Sequence, residues 1–290
     1  MIERLLAIVF PLFAVVAVGF LYARRHRPDM GAATALNMDV FVPALVFSAL
    51  AAKDVDLGSY GPLALAGLLL VLGSGLLAWP LARAAGVAAR TFVPPMMFVN
   101  SGNMGIPLLV LAFGEQAMPA AVVLFLVENF LHFSLGTRML DRRAQLLQVL
   151  ATPVMLACLA GLAVNLAGLP LPPVIALPLE MLGQVAIPLM LFTLGVRLTD
   201  VDLSDWRVGL LGALARPLVG VALAWLSAVA LGLPPGQAEI LLVFGALPPA
   251  VLNYVFAERY AQEPERVASI VLLGNAAALV TLPAILLLVL

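Results

Sequence analysis

Apolar residues run for about twenty positions at a time along this sequence, interrupted by short clusters of charge, glycine and proline. A helix needs about 20 apolar residues to cross the bilayer core. The pattern therefore predicts ten membrane-spanning helices, near 4–23, 32–52, 60–83, 91–113, 117–138, 147–168, 176–197, 207–232, 238–257 and 267–289. Connectors are short throughout, so no soluble catalytic or binding domain is expected. Composition agrees. Hydrophobic residues make up 63% of the 290 and charged residues 11%, against about 45–50% and about 25% in soluble domains. So few charges cannot cover the surface of a soluble protein of this size. The net charge of −1 offers no basic field for nucleic acid. One cysteine, Cys158, and two distant histidines, His26 and His132, exclude a disulfide framework and a Cys/His metal cluster. No cofactor is expected. The first apolar stretch precedes its positive cluster, the reverse of a cleaved signal peptide.

Lys and Arg set orientation. The odd-numbered loops hold Arg24, Arg25, Arg27, Arg83, Arg90, Arg138, Arg142, Arg143, Arg197, Arg207, Arg259 and Arg266, whereas the opposite side holds Arg4 and Lys53. The bias predicts a multi-pass inner-membrane protein with both termini on the non-cytoplasmic side.

The two halves, 1–140 and 147–290, echo each other at a near-constant offset. Pro11 and Gly19 match Pro153 and Gly161 at 142 positions. Pro43 through Ser48 matches Pro188 through Thr193 at 145, while Ala78-Trp79 matches Ala224-Trp225 and Asn129 matches Asn275 at 146. Five spans per half is an odd number, so the halves cross in opposite directions. The expected fold is all-α and integral to the membrane, ten helices in an inverted 5+5 repeat. Such repeats are a signature of secondary transporters, with the site near midplane where the repeats meet.

Spans four and nine carry the strongest local signal. Span four contains Asn100-Ser101-Gly102-Asn103-Met104-Gly105-Ile106-Pro107, and span nine contains Gly245-Ala246-Leu247-Pro248-Pro249-Ala250-Val251-Leu252-Asn253. Prolines remove backbone donors and clash with the preceding turn. Unwound backbone at this depth is tolerated only inside protein or beside a water-filled cavity. A plain proline kink is the alternative, but two breaks at corresponding positions favour a site. Each second half-helix would begin with free N–H groups and the positive end of its dipole. Two such ends facing one cavity hold an anion without a buried cation, and Asn100, Asn103 and Asn253 would add directional donors.

The ten-span repeat, the proline-broken spans four and nine, and the Asn-Ser-Gly-Asn-x-Gly-x-Pro segment resemble the auxin efflux carrier family, within the bile acid/sodium symporter superfamily. The resemblance implies a scaffold of spans 1, 2, 6 and 7 and a mobile transport unit of spans 3–5 and 8–10, moving as an elevator with spans four and nine crossing at the site. It places Asn100, Ser101, Gly102, Pro107, Pro248, Pro249 and Asn253 at the crossover, with Ser48 and Thr193 facing it from the scaffold. It also implies a homodimer and a small organic anion as partner. Sodium-coupled relatives place a glutamate at the span-nine crossover, and this chain has none between Gly245 and Tyr254. That weakens a sodium mechanism without excluding one, because carbonyls and hydroxyls can also coordinate the ion.

Ionisable residues well inside a span mark functional sites by default. Glu128 and His132 are four apart, on one helix face, beside Asn129, the position repeated as Asn275. Histidine titrates near neutrality, so Glu128 and His132 are candidates for a proton relay, with H+ or alternatively Na+ as coupling ion. Arg216 lies about 14 Å into span eight at 1.5 Å per residue. It is placed either to pair with a substrate carboxylate or to neutralise Glu128 structurally. Asp39 is either a coupling group or a residue reaching the wet end of span two.

A transporter is thus expected, not an enzyme. An anion channel would show a continuous polar stripe or a repeated filter loop. An intramembrane enzyme would need a catalytic pair, and His132 and Ser134 point in different directions. No phosphate-binding glycine loop points to ATP hydrolysis.

Overall fold

The computed structural model describes residues 2–52, 57–141, 151–199 and 205–290. Lys53, Arg142, Arg143 and the beginning of the expected sixth span lie outside the described residues. Among the described residues, apolar, Leu- and Ala-rich sequence folds into twelve helices: α1 (Ile2–His26), α2 (Gly31–Ala51), α3 (Gly61–Ala84), α4 (Ala89–Met97), α5 (Ser101–Phe113), α6 (Glu115–Leu140), α7 (Pro153–Leu166), α8 (Pro173–Arg197), α9 (Trp206–Ala230), α10 (Pro235–Gly245), α11 (Leu252–Arg259) and α12 (Pro264–Val289). Prolines open α7, α8, α10 and α12, where the missing N–H costs nothing and the fixed φ already suits the helix. The Thr152 hydroxyl accepts from the Met155 N–H to cap α7. At the end of α3, Arg83 lies 3.7 Å over the Trp79 ring, an anchor suited to a membrane interface.

Seven helices among the described residues are long and apolar enough to cross a membrane: α1, α2, α3, α6, α8, α9 and α12. This is an integral membrane architecture. The difference from ten expected spans has a local cause. The segments 91–113 and 238–257 are each divided into two short helices, and the start of 147–168 is not described.

Helices α1, α2, α7 and α8 pack on one another, while α3, α4, α6, α9, α10 and α12 form a second set of neighbours. Small residues bring α1 and α8 together. A Cβ on Gly19 would strike the Phe192 carbonyl, and one on Gly195 would strike the Val16 carbonyl. Lipid supplies no hydrophobic drive between helices, so close packing of this kind is what joins them.

Between α4 and α5 the chain is extended through Phe98 (φ −101°, ψ 111°). There it meets the irregular segment between α10 and α11 in an antiparallel bridge of Val99 with Pro249. The Asn100 N–H donates to the Pro248 carbonyl at 2.8 Å, and the Ala250 N–H donates to the Phe98 carbonyl at 3.0 Å. The bridge uses the carbonyl of Pro248 and the N–H of Ala250, and never asks a proline for a donor. Backbone groups freed by the two breaks therefore satisfy each other, as burial in an apolar medium requires.

Candidate functional site

A cavity of about 190 Å³ lies where this crossing meets α2 and α8. Thr34 and Asn37 of α2, Asn100 through Asn103, Glu128, Asn129 and His132 of α6, and Thr193 and Arg197 of α8 form its polar wall. Met38, Phe125, Phe133 and Met190 supply the apolar part, and Ala250, Val251 and Leu252 close it at the start of α11. The first turn of α5 opens on the cavity at Ser101, Gly102 and Asn103. The Met104 and Gly105 N–H groups turn back to the Asn100 carbonyl. The helix offers no acceptor to the N–H groups of Gly102 and Asn103 before them, so these are directed outward. The cavity is therefore largely apolar, with a donor-bearing, dipole-positive end at the head of α5.

Glu128 stands opposite these donors and is buried, at 2% exposure. The Ser101 hydroxyl donates to its Oε2 at 2.5 Å, and its Oε1 lies 3.5 Å from Nδ1 of His132. The imidazole is stacked on Phe98, ring centres 4.2 Å apart, and Phe256 meets it edge-on at 5.2 Å. Its plane is thus fixed. Three π-helical turns, Asn37–Phe41, Ser101–Gly105 and His132–Gly136, each begin on a residue of the cavity wall. Such turns widen a helix by one residue and recur at functional sites.

Asn100 is tied to residues behind this wall, and the other residues singled out from the sequence stand there or away from it. The Asn100 amide donates to Asn275 Oδ1 at 3.3 Å, and the Asn275 amide donates to the Pro249 and Val271 carbonyls at 3.0 and 2.8 Å. Asn253 donates to the Phe98 and Ala250 carbonyls, both at 2.9 Å. Asn253 and Asn275 therefore hold the crossing together from behind. Arg216 is 1% exposed and donates from Nη1 to the Gly245 carbonyl at 3.2 Å, at the C-terminal end of α10. Its charge acts on Glu128 through the protein, but it does not line the cavity. Pro107 is buried in α5 beyond the wall, and Pro248 and Pro249 contribute backbone alone. Ser48 is off the cavity. Asp39 is exposed on α2, whereas Asn37, two residues earlier and so on another helix face, reaches the cavity.

Thr34, Asn37 and Arg197 were not singled out from the sequence. Arg197 sits in the last turn of α8, where composition marks it as a loop charge. Its Nη2 lies 3.5 Å from the Thr34 hydroxyl, across the cavity mouth.

A family profile described as membrane transport protein matches residues 142–286, half of the chain. The chain belongs to the auxin efflux carrier family. No curated protein matches the sequence. As an auxin efflux carrier family member it is a multi-pass membrane transport protein, from a family of transporters and not of enzymes.

Proposed function

We propose that this auxin efflux carrier family protein is a secondary active transporter of a small organic anion, a carboxylate, driven by protons or by the membrane potential. The observation that carries the reading is the donor-lined cavity at the crossing of two interrupted helices. There, the free N–H groups at the head of α5 meet amides and hydroxyls of a wall that also carries Glu128, His132 and Arg197. A carboxylate bound at Gly102 and Asn103 would take hydrogen bonds from groups fixed in advance by the bridge. Asn100, through the second N–H of its amide, would join Asn129, Asn37 and Thr193 in orienting it, and Arg197 would attract it at the mouth.

In this reading the chain is an inverted 5+5 repeat of ten spans, with α4–α5 as span four and α10–α11 as span nine. Helices α1, α2, α7 and α8 are the scaffold, and the remaining helices carry the crossing past it as an elevator. The cavity lies between those two sets of helices, as alternating access requires. Glu128 and His132 form the proton relay, with Ser101 linking the carboxylate to the first turn of α5. Arg216, tied to the end of α10, offsets the Glu128 charge in place of binding substrate.

Purified protein in proteoliposomes tests this. Counterflow and pH-gradient uptake of labelled mono- and dicarboxylates should be saturable and stimulated by an imposed proton gradient or potential, with no need for sodium. Unsaturable conductance would turn the reading to an anion channel, and strict sodium dependence would turn it to a sodium symporter.

A further inference from the structure

Among the described residues, His132 alone lines both the large cavity and a second, smaller one behind it. The rear cavity has a volume of about 10 Å³, on the scale needed for one water. It is bounded by Arg90 of α4, Leu140 of α6, Asn253 and Ala257 of α11 and Val267 of α12. These residues belong to one set of packed helices, so the rear cavity does not involve α2 or α8, which form the far wall of the large one. Two buried polar atoms on its walls, His132 Nε2 and Asn253 Oδ1, have no hydrogen-bond partner among the described residues. The His132 ring and the Asn253 side chain are within weak hydrogen-bonding reach of each other, but no well-formed bond joins the two atoms. An orphaned buried polar atom is costly, and one water beside them in the rear cavity would complete both.

We propose that a water held by His132 Nε2 and Asn253 Oδ1 gives the Glu128–His132 pair a proton route, through the rear cavity towards Arg90 and Leu140, that is separate from the substrate's path. This rests on the relay reading of that pair given above. A proton arriving through the water binds Nε2, while Nδ1 releases its own proton to Glu128 Oε1. The carboxylate gains one proton, and the ring stays neutral in its other tautomer. The stacked Phe98 and the edge-on Phe256 keep the ring from turning, so its two nitrogens keep facing different cavities. The charged groups around the pair are Arg216 from α9 and Arg90 from α4, with Arg197 across the front cavity. Asn253 is on this account a positioning residue for the water as well as a staple of the crossing.

The test uses the full chain labelled with 15N-histidine. His26→Gln leaves His132 as the one remaining histidine of the two. Native protein should show a water-to-Nε2 cross peak and rapid exchange of the ring proton. Ala257→Val and Val267→Ile, each filling the rear wall, should slow that exchange at least tenfold, whereas Met190→Phe, on the front wall, should leave it unchanged. Equal exchange in folded rear variants, slowing by Met190→Phe alone, or no water cross peak in native protein would overturn the proposal. If one rear variant loses its thermal transition, the other variant and the native cross peak decide. Intact rear exchange without proton-stimulated uptake would count against the transport reading and leave the route standing.

Discussion

Glu128 is a buried carboxylate: the Ser101 hydroxyl donates to one oxygen, and the His132 ring stands 3.5 Å from the other, which no hydrogen bond satisfies. Replacing it with glutamine keeps the shape and removes the titratable group. Glu128→Gln should abolish pH-gradient-driven uptake while leaving carboxylate affinity within about threefold, since in the proposed reading donors on α5 and not Glu128 would hold the anion. Proton-driven uptake at the native rate in that variant would remove Glu128 from the relay. Asn100→Ala removes one donor at the crossing and its bond to Asn275. A hydrogen bond to a charged group contributes about 1.5–3 kcal/mol, so affinity should fall at least tenfold by titration, with a stability loss nearer 1 kcal/mol. Native affinity would show that Asn100 only supports the bridge. Asn100, Ser101, Glu128 and His132 were legible in the sequence because polar and ionisable groups are conspicuous in so apolar a chain. Asn37 was not. Its role against that of Asp39 depends on which helix face meets the cavity, and the charge of Asp39 drew attention from its neutral neighbour.

At the scale of elements, the two interruptions were legible because each carries its own chemistry: glycines and asparagines in one, adjacent prolines in the other. Their crossing was expected from the family resemblance, but the register of their pairing was not legible. The bridge depends on Pro248 offering a carbonyl and Ala250 an N–H to the Phe98–Asn100 segment, a match of register between residues about 150 positions apart. The π-helical turns were also hidden, because one inserted residue in a helix has no compositional signature. Gly274 shows how closely α12 supports the crossing, since a Cβ there would lie 2.5 Å from the Pro249 ring. Replacing both Pro248 and Pro249 with alanine restores two backbone donors and lets α10 extend. The double variant should fold, lose carboxylate binding at least tenfold and gain helix content by circular dichroism. Unchanged binding would show that the break itself is not needed to form the site.

At the scale of the whole molecule, hydropathy and the distribution of arginine carry most of the argument. Helical membrane architecture follows from the apolar runs. Fewer helices are long enough to cross than the spans expected because two segments are interrupted and the start of the sixth lies outside the described residues. Sidedness is tested by two exposed positions at the ends of spans. In a Cys158→Ser background, Ala85→Cys in the connector after α3 should react with an impermeant maleimide from the cytoplasmic side. Gly236→Cys, where an added side chain meets open space, should react from the other side. Labelling of both from one side would overturn the opposed halves and with them the inverted repeat. The central claim, that a negatively charged guest is held at the crossing of α4–α5 with α10–α11, is tested most directly by thermal shift across a panel of carboxylates, in native protein and in Asn100→Ala. A ligand present at a hundredfold excess over its Kd stabilises the folded state by about 2.7 kcal/mol. At least one carboxylate should raise the melting temperature of the native protein, and the rise should shrink at the same concentration in Asn100→Ala. A panel with no stabilising carboxylate, or a stabilisation identical in the variant, would contradict the account.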